Sequence, residues 1–473
     1  MLSWLKGLIP ADFILRLWWH RLIGFFAAVL YGFPGHQLNI IGITGTDGKS
    51  STVEFVASIL KKKDLKVGVA STIRFQIGEE TWSNRTHKTT LGRFQLQKML
   101  RRMADAKCDV VVLEVSSHAL EQGRLVGVPF TVAALSNISH EHLDFHRTME
   151  NYISAKAKLF RNVEKNQNIT KYDSTICLNI DDKYFDRFSK FDVKNKLYYS
   201  LSQQEEAIDI SHKDIFARIF DIKVMLDGTK FVLKVGGIKK EIKLKVLGSF
   251  QVANAVLAFL TTVPFLGKLD EKTLNIVKEG LQSVPRIPGR TELVDTDDKL
   301  GEKNGIICMI DFAITERAVT CLYRTLGDMA DKKHVISVFG ACGNRDKEKR
   351  PRIAKIAQDM TDRIIICDDE TYGEDTFEIR TDLLSGICKK DMLASNERKN
   401  KMLSDDFYQY SDKIYEIGNR QKAIEYAIKI ADTGDLVVVT GMGDFDMRML
   451  SAGLVPWDER KVIKEALFKK YKK

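Results

Sequence analysis

The sequence predicts an α/β protein built on two open, largely parallel sheets. Three observations carry that reading. Short apolar runs alternate with stretches of helical spacing in two separate blocks. Between the blocks lies a stretch of alternating residues broken by Asp-Gly and Gly-Gly. After it comes "RIPGRTELV", Arg286–Val294, whose Pro288 and Gly289 mark a linker. With 473 residues the chain exceeds what one hydrophobic core can serve, so two or three domains are expected.

The first element is the stretch "FILRLWWHRLIGFFAAVLYGF", Phe13–Phe33. It is nearly long enough to cross a bilayer, but Arg16, His20 and Arg21 interrupt it. No small-residue cleavage site marks it as an export signal. Two readings stay open: a helix in the membrane interface anchored by Trp18, Trp19, Phe25 and Phe26, or a helix packed on the next domain. From Leu38 to about Phe160, "LNIIGIT", "KVGVAS", "DVVVLEVS" and "VAALSNIS" read as buried parallel strands. From about Asn166 to Val246 the texture changes, and "VMLDGTKFVLKVGGIKKEIKLKV" predicts antiparallel hairpins. "GSFQVANAVLAFLTTVPFL" returns to helix. The second block places strands at "GIICMIDF", "HVISVFG", "DRIIICDD" and "DLVVVTG".

Composition narrows the function classes. The chain is 44% hydrophobic and 29% charged, as in soluble globular proteins. Its seven cysteines include no Cys-x-x-Cys pair, which points to reduced thiols in a cytoplasm and away from a disulfide scaffold or zinc ribbon. The net charge of +10 suits anionic substrates or surfaces. The basic residues are spread out, so no nucleic-acid partner is expected, and the Lys469–Lys473 end reads as a solvated tail.

The chemistry starts at "IIGITGTDGKSST", Ile40–Thr52. Gly48-Lys49-Ser50 ends like a phosphate-binding loop, yet the usual pattern wants glycine at position 43, where Ile43 stands. The context is nevertheless strand, glycine loop, helix, with Val53, Val56, Ile59 and Leu60 at helical spacing. Loop amides and the helix N-terminus would face phosphate oxygens, Lys49 would add a point charge and Ser50 a hydroxyl for a metal. An ordinary capped turn is the plainer alternative. Further polar clusters sit at the carboxyl ends of predicted strands, where ligands bind in open α/β sheets. One holds Glu114, Ser116, Ser117, His118, Gln122 and Arg124. Another holds His140, Glu141, His142, Asp144 and His146, followed by Lys156 and Lys158 on a helix.

The segments "GTDGKSS", "EVSSHALEQGR", "SNISHEHLDFHRTMENYISAKAKLF", "GSFQVANAV", "IPGRTELV", "IDFAITERA", "GACGNRDKEKRP" and "VPWDERKV" occur in the order seen in the Mur ligases. The chain resembles that family, and within it the branch that adds the third residue to UDP-N-acetylmuramoyl-L-alanyl-D-glutamate. The short loop Gly-Thr-x-Gly-Lys-Ser is the family's own version.

The resemblance implies a central P-loop ATPase domain with an antiparallel hairpin region over residues 37–288, and a Rossmann-like C-terminal domain over 289–473. A short apolar segment, residues 1–36, precedes them. It implies a cytoplasmic, monomeric amide ligase of peptidoglycan synthesis that acts through an acyl phosphate with ATP and two Mg²⁺ ions. Gly45, Thr46, Asp47, Gly48, Lys49, Ser50 and Ser51 match the phosphate loop. Asn254 matches a residue near the adenine, and Arg290 and Asp311 match further nucleotide contacts. Ser50, Glu114, His142 and Lys156 match metal-site residues, Lys156 as a carbamate. Thr89, Thr90, Ser116, Gln122 and Arg124 match contacts to the muramoyl-dipeptide.

Three departures stand out. Only about 37 residues precede the strand at Leu38 that leads into the loop, where full-length relatives carry an N-terminal UDP-binding domain of roughly a hundred residues. Uridine recognition is therefore expected to be lost or achieved differently. Where diaminopimelate-adding relatives carry Asp-Asn-Pro-Arg, this chain reads "DETYGED", with Tyr372 at the Arg position, so Tyr372 and Glu374 become candidates for the amine pocket. The acids Asp368, Asp369, Glu370, Glu374 and Asp375 either favour lysine as the amine or form a solvated turn. The family's Gly-Lys-Gly-His-Glu reads "GMGDF", with Met442 and Phe445, and "DFAITERA" has Ile314 for the usual His. Alternatives are a folylpolyglutamate synthase-like ligase, which also lacks the UDP domain, and a degenerate non-catalytic homologue at a membrane.

Overall fold

The computed structural model describes residues 14–86, 88–202, 215–294, 305–327, 329 and 333–471. A helix, Ile14–Leu30, leads into the first sheet. Eleven strands make up that sheet among the described residues. They are β1 (Ile40–Thr44), β2 (Val67–Ala70), β3 (Arg74–Ile77), β4 (Glu80–Ser83), β5 (Val110–Glu114), β6 (Val132–Leu135), β7 (Thr175–Asn179), β8 (Asn195–Ser200), β9 (Ile215–Met225), β10 (Gly228–Val235) and β11 (Ile238–Leu244). Their order is β11-β10-β9-β8-β7-β6-β1-β5-β2-β3-β4.

The strands from β2 through β5, β1, β6, β7 and β8 to β9 pair in parallel, and β10 and β11 are antiparallel additions at one edge. The sequence places the change to antiparallel pairing near Asn166, but it comes only after β9. Strands β7 and β8 are short buried runs set among charged residues, so their period is hard to see. The β3–β4 hairpin at the other edge is a further element that the sequence pattern does not signal. The expected hairpins at Asp227-Gly228 and Gly236-Gly237 do form.

Each face of this sheet has its own core. On one, Val53, Val56, Ile59 and Leu60 of helix Lys49–Lys62 pack with helices Ser249–Leu266 and Glu271–Ser283. On the other, helices Arg93–Asp105 and Met149–Asn166 bury Leu96, Leu100, Tyr152, Leu159 and Phe160. Helix Ser249–Leu266 is the one helix among the described residues long and apolar enough to cross a membrane, and 72% of that stretch is buried in the core.

The second sheet holds β12 (Glu292–Leu293), β13 (Ile307–Asp311), β14 (Val335–Phe339), β15 (Arg363–Ile366), β16 (Tyr408–Gln409), β17 (Ile414–Glu416) and β18 (Leu436–Thr440), in the order β12-β13-β18-β14-β15-β17-β16. The strands β13, β18, β14, β15 and β17 are parallel. Helices Glu316–Gly327 and Lys349–Met360 cover one face, Arg420–Ile430 and Glu459–Tyr471 the other.

Candidate active site

The loop after β1 is held from below. Gly45 (φ 146°) packs so closely on Ser136 that a Cβ would overlap its Oγ. Gly48 (φ 83°) is the N-cap of helix Lys49–Lys62 and faces Asn254 just as tightly. Both positions demand glycine, for space and for backbone angle. The Ser136 hydroxyl and the Asn137 amide donate to the Asp47 carbonyl, at 2.6 and 2.9 Å, and fix the loop to the end of β6. Asn254, expected near the adenine, lies against the loop and donates to Gln251 at 3.0 Å.

Lys49 folds back onto the loop, donating to the carbonyls of Thr46 at 2.7 Å and Gly45 at 3.2 Å. Lys156 reaches the same place from helix Met149–Asn166. It is 1% exposed, donates to the Gly45 carbonyl at 2.6 Å and lies 4.3 Å from the centre of the Tyr152 ring. Burial, and then the charge of Lys49, push its pKa well below the usual lysine range. The Ser50 hydroxyl donates to both oxygens of Glu114, at 3.0 and 3.1 Å. Glu114 is buried at the end of β5 and also accepts from the Thr72 amide.

His142 sits at φ 58°, and its ring meets His118 edge-on at 4.8 Å. Enclosure by protein, and then His118, Lys156, Lys49 and Lys349, lower its pKa to about 2. His118 falls to about 4, mainly through burial. His146 falls to about 4 for the same reason, and its Nε2 shares a hydrogen bond with Ser117 Oγ at 2.9 Å. Among the described residues, no group of three or more His, Cys, Asp or Glu side chains forms a metal cage.

A second network adjoins this one. Thr90 Oγ1 donates to the Glu114 carbonyl at 2.9 Å and accepts from the Ser116 amide at 3.0 Å. Ser116 caps the short helix Ser117–Glu121. Arg124 donates to the Thr90 carbonyl at 2.8 Å and forks onto Gln122 Oε1 at 2.7 and 3.1 Å. Thr89 Oγ1 accepts from Thr72 at 3.1 Å. All five residues assigned to the acceptor from sequence therefore connect to Glu114 within one hydrogen-bonded patch.

The second sheet's unit closes over the loop through pairs that no sequence pattern signals. Thr315 Oγ1 donates to Asp47 Oδ1 at 3.0 Å, and Lys349 Nζ donates to Glu141 at 3.0 and 3.2 Å in a buried ion pair. Lys349 and Glu141 are 208 positions apart, so no local pattern could link them. Burial raises the Glu141 pKa, with Lys349 opposing it. Arg290 lies 4.6 Å from the centre of the Phe312 ring, which in turn meets Phe445 at 5.2 Å. Asp311, at the end of β13, accepts from the Thr291 amide at 2.6 Å, and burial lifts its pKa to about 6.

The acidic stretch is neither a solvated turn nor a row of free charges. Glu374 is bound by Arg350 at 2.8 and 2.9 Å, by Lys347 at 2.8 Å and by the Asn344 amide at 2.7 Å. Asp368 pairs with Arg380, and Asp375 caps helix Thr376–Leu384. Glu370 accepts from the Tyr372 hydroxyl at 3.1 Å and from the Met449 amide at 3.2 Å. Asp369 keeps Oδ2 buried without a hydrogen-bond partner. Glu374 thus has its charge already compensated inside its own unit, which argues against its sequence assignment to the amine pocket. Tyr372 sits at φ 49°, and the exposed Arg345 guanidinium lies 5.6 Å from its ring centre.

Residues 43–262 match the Mur ligase middle domain, and residues 289–443 match the Mur ligase glutamate ligase domain. The chain belongs to the Mur ligase family. A UDP-N-acetylmuramoyl-L-alanyl-D-glutamate–2,6-diaminopimelate ligase of Clostridium tetani is 31% identical over 446 residues, covering 94% of this chain and 81% of that one. A UDP-N-acetylmuramyl-tripeptide synthetase of Borreliella burgdorferi is 32% identical over 459 residues, 96% of this chain and 81% of that one. A solved UDP-N-acetylmuramoyl-L-alanyl-D-glutamate–2,6-diaminopimelate ligase superposes with a TM-score of 0.56 at 27% identity, over 92% of this chain and 79% of that one. Folylpolyglutamate synthase of Mycobacterium tuberculosis, complexed with ADP, shares the fold, with a TM-score of 0.62 at 17% identity over 88% of this chain and 90% of that one. This Mur ligase is thus an ATP-dependent ligase, and its two matched segments lie on either side of the start of the Arg286–Val294 stretch read as a linker.

Proposed function

We propose that this Mur ligase joins an amino acid to UDP-N-acetylmuramoyl-L-alanyl-D-glutamate, the acceptor in its relatives' names, working as a cytoplasmic monomer on small molecules. The observation that carries this is the continuous patch from Arg124 through Thr90 to Glu114 and Ser50, which sets the acceptor candidates beside the phosphate loop. An acceptor carboxylate oxygen attacks the γ-phosphorus, and the bond to the bridging oxygen breaks to release ADP. The amine nitrogen then attacks the acyl carbon. Inorganic phosphate leaves, the nitrogen loses a proton and an amide remains. Bringing two anions together is the difficulty. Lys49 and the loop amides offset that charge, with Gly45 to Ser51 around the phosphates.

Nucleotide contacts fall to Asn254, Arg290 and Asp311. The oxygen donors Ser50 and Glu114 suit a hard cation such as Mg²⁺, and His142 and Lys156 are assigned to a second. Bound there, such ions would neutralise further phosphate charge. Lys156 fits carbamylation because that reaction needs a neutral amine, and this one is buried without a carboxylate partner among the described residues. On the same reading, 37–288 is the ATP-binding unit and 289–473 the C-terminal unit, after a short N-terminal segment, 1–36, of which residues 1–13 lie outside the described ones.

The test is ATP-dependent phosphate release with the muramoyl-dipeptide nucleotide and a panel of amines. Release that requires both acceptor and amine, with an amide product by mass, supports the reading. Release driven by a folyl-glutamate acceptor and not by the muramoyl-dipeptide would overturn it.

A further inference from the structure

Helix Ile14–Leu30 is built the wrong way round for a soluble protein. The face turned to the protein carries its small residues: Gly24, Ala27 and Ala28 are buried. A Cβ on Gly24 would run into the Gly123 carbonyl and Val126, and Ala28 packs against Gly127. The opposite face carries the large ones. Trp19, Leu22, Phe25, Phe26, Val29 and Leu30 are between 48% and 61% exposed. At 3.6 residues per turn these six share one stripe roughly 140° wide, centred opposite the buried residues. An ordinary surface helix points its large apolar residues inward and its polar residues out.

Charge says what should cover this stripe. The helix contains no Asp or Glu, and Arg21 lies exposed at the stripe's edge. The helix packed against it, Arg93–Asp105, presents Lys98 to solvent together with the 40%-exposed Phe94, while its exposed Arg102 pairs with Glu80 at 3.7 Å. With a net charge of +10 on the whole chain, a second copy would bring like charges together, whereas an anionic lipid surface complements both the apolar stripe and its basic rim. Crossing the bilayer is excluded for this 17-residue helix, because its small-residue face is already bound to the protein.

We propose that helix Ile14–Leu30 lies in the headgroup region of an anionic bilayer, with Trp19, Leu22, Phe25, Phe26, Val29 and Leu30 inserted among the acyl chains. One guanidinium ties this anchor to the cleft. Arg93 donates to the His20 carbonyl at 3.0 Å and to the Gln122 carbonyl at 2.6 Å. Docking therefore places the Gln122–Arg124 loop on the lipid side of the molecule. That consequence for the acceptor rests on the proposed function, whereas lipid binding does not.

Flotation of the full chain with vesicles tests it without any activity readout. Vesicles with about one third phosphatidylglycerol should capture the protein at least about tenfold better than pure phosphatidylcholine, and rising salt should weaken capture. The triple variant Leu22→Ser, Phe26→Ser, Leu30→Ser should lose about tenfold or more in capture while keeping its melting temperature, because these three side chains are the most exposed of the stripe, at 59–61%. A wild-type chain that stays in the supernatant with anionic vesicles at low salt overturns the proposal. So does a wild-type dimer by light scattering that the triple variant splits, with no capture by vesicles. Full capture of the triple variant, lost only on deletion of residues 1–13, would overturn it as well, by placing the anchor in that preceding segment instead.

Discussion

The two walls of the cleft treat charge in opposite ways. On the loop wall, Lys49 and Lys156 both point their amines at backbone carbonyls, and neither has a carboxylate within ion-pair distance among the described residues. On the wall from the second sheet's unit, acids are met by cations, Glu374 by Arg350 and Lys347 and Asp368 by Arg380, while its Lys349 reaches across to Glu141 of the first unit. Amines held close together without counter-charge are costly to ionise unless an anion arrives. Acids that are fully paired are scaffolding. On the proposed function, the contrast marks where a phosphate would sit, and it warns against reading function from the richer of two charged sequences.

The largest effect expected comes from the loop wall. Lys49→Ala should keep the fold and lower phosphate release on the order of 10² to 10³, since Lys49 is the loop's own cation at the phosphates. Near-wild-type release in a steady-state assay would remove the nucleotide assignment, and with it the meaning given to the uncompensated charge.

Lys156→Ala comes next, at about 10- to 100-fold in rate. If the lysine works as a carbamate, short carboxylic acids added to the variant should restore part of the activity by filling the vacated position. ¹³CO₂ should also give the wild-type protein a carbamate carbon resonance that the variant lacks. Full activity of the variant in CO₂-free buffer would show that Lys156 is only a buried amine.

The paired wall should fail in stability rather than in chemistry. Glu374→Gln leaves the buried Arg350 short of a charge and should cost about 2–3 kcal/mol by denaturant unfolding. Arg350, together with Lys347, holds the Glu374 carboxyl well below the usual glutamate range. A depressed carboxyl pKa stabilises the fold above the ordinary value near 4.5, and that share is lost as pH falls through the folded value. The gap between wild type and variant should therefore be full at neutral pH and shrink on acidification. A gap that is constant with pH would mean that the glutamate acts through packing and not through charge.

The same contrast explains how much was legible in the sequence. The loop wall is local: glycines, Lys49 and Ser50 stand together, and the helical spacing of Val53, Val56, Ile59 and Leu60 identifies the helix that the loop opens. Of the patch proposed for the acceptor, Ser116 and Arg124 were legible in the polar run that follows the strand end at Glu114, whereas Thr90, in the loop before helix Arg93–Asp105, entered only through the family resemblance. The other wall is built from partners far apart in the chain. Glu141 meets Lys349, and Asp47 meets Thr315, only because two separately folded sheets come together. A run of acids looks the same on paper whether its partners are water or arginine. Strands β7 and β8 were lost for a related reason, since burial on both faces leaves a short run with no period to read.

The smallest effect expected concerns the amine, and it tests the contrast most finely. On the family resemblance read from the sequence, Tyr372 takes the place of an arginine in diaminopimelate-adding relatives, and a phenol cannot give a distal carboxylate the forked contact of a guanidinium. From sequence alone, the neighbouring acids would then tilt the pocket toward lysine. The structure removes most of that tilt, because Asp368, Glu370, Glu374 and Asp375 are already engaged. That leaves a pocket with no strong countercharge of either sign, apart from the exposed Arg345 beside the Tyr372 ring. Equal lysine and meso-diaminopimelate competing over one muramoyl-dipeptide should therefore give products within about tenfold of each other, a difference of about 1.4 kcal/mol. A product almost wholly diaminopimelate would mean that Arg345 or another cation supplies the missing grip, and Arg345→Gln should then abolish the preference. A product almost wholly lysine would mean that Asp369, whose Oδ2 has no hydrogen-bond partner, reaches the amine after all.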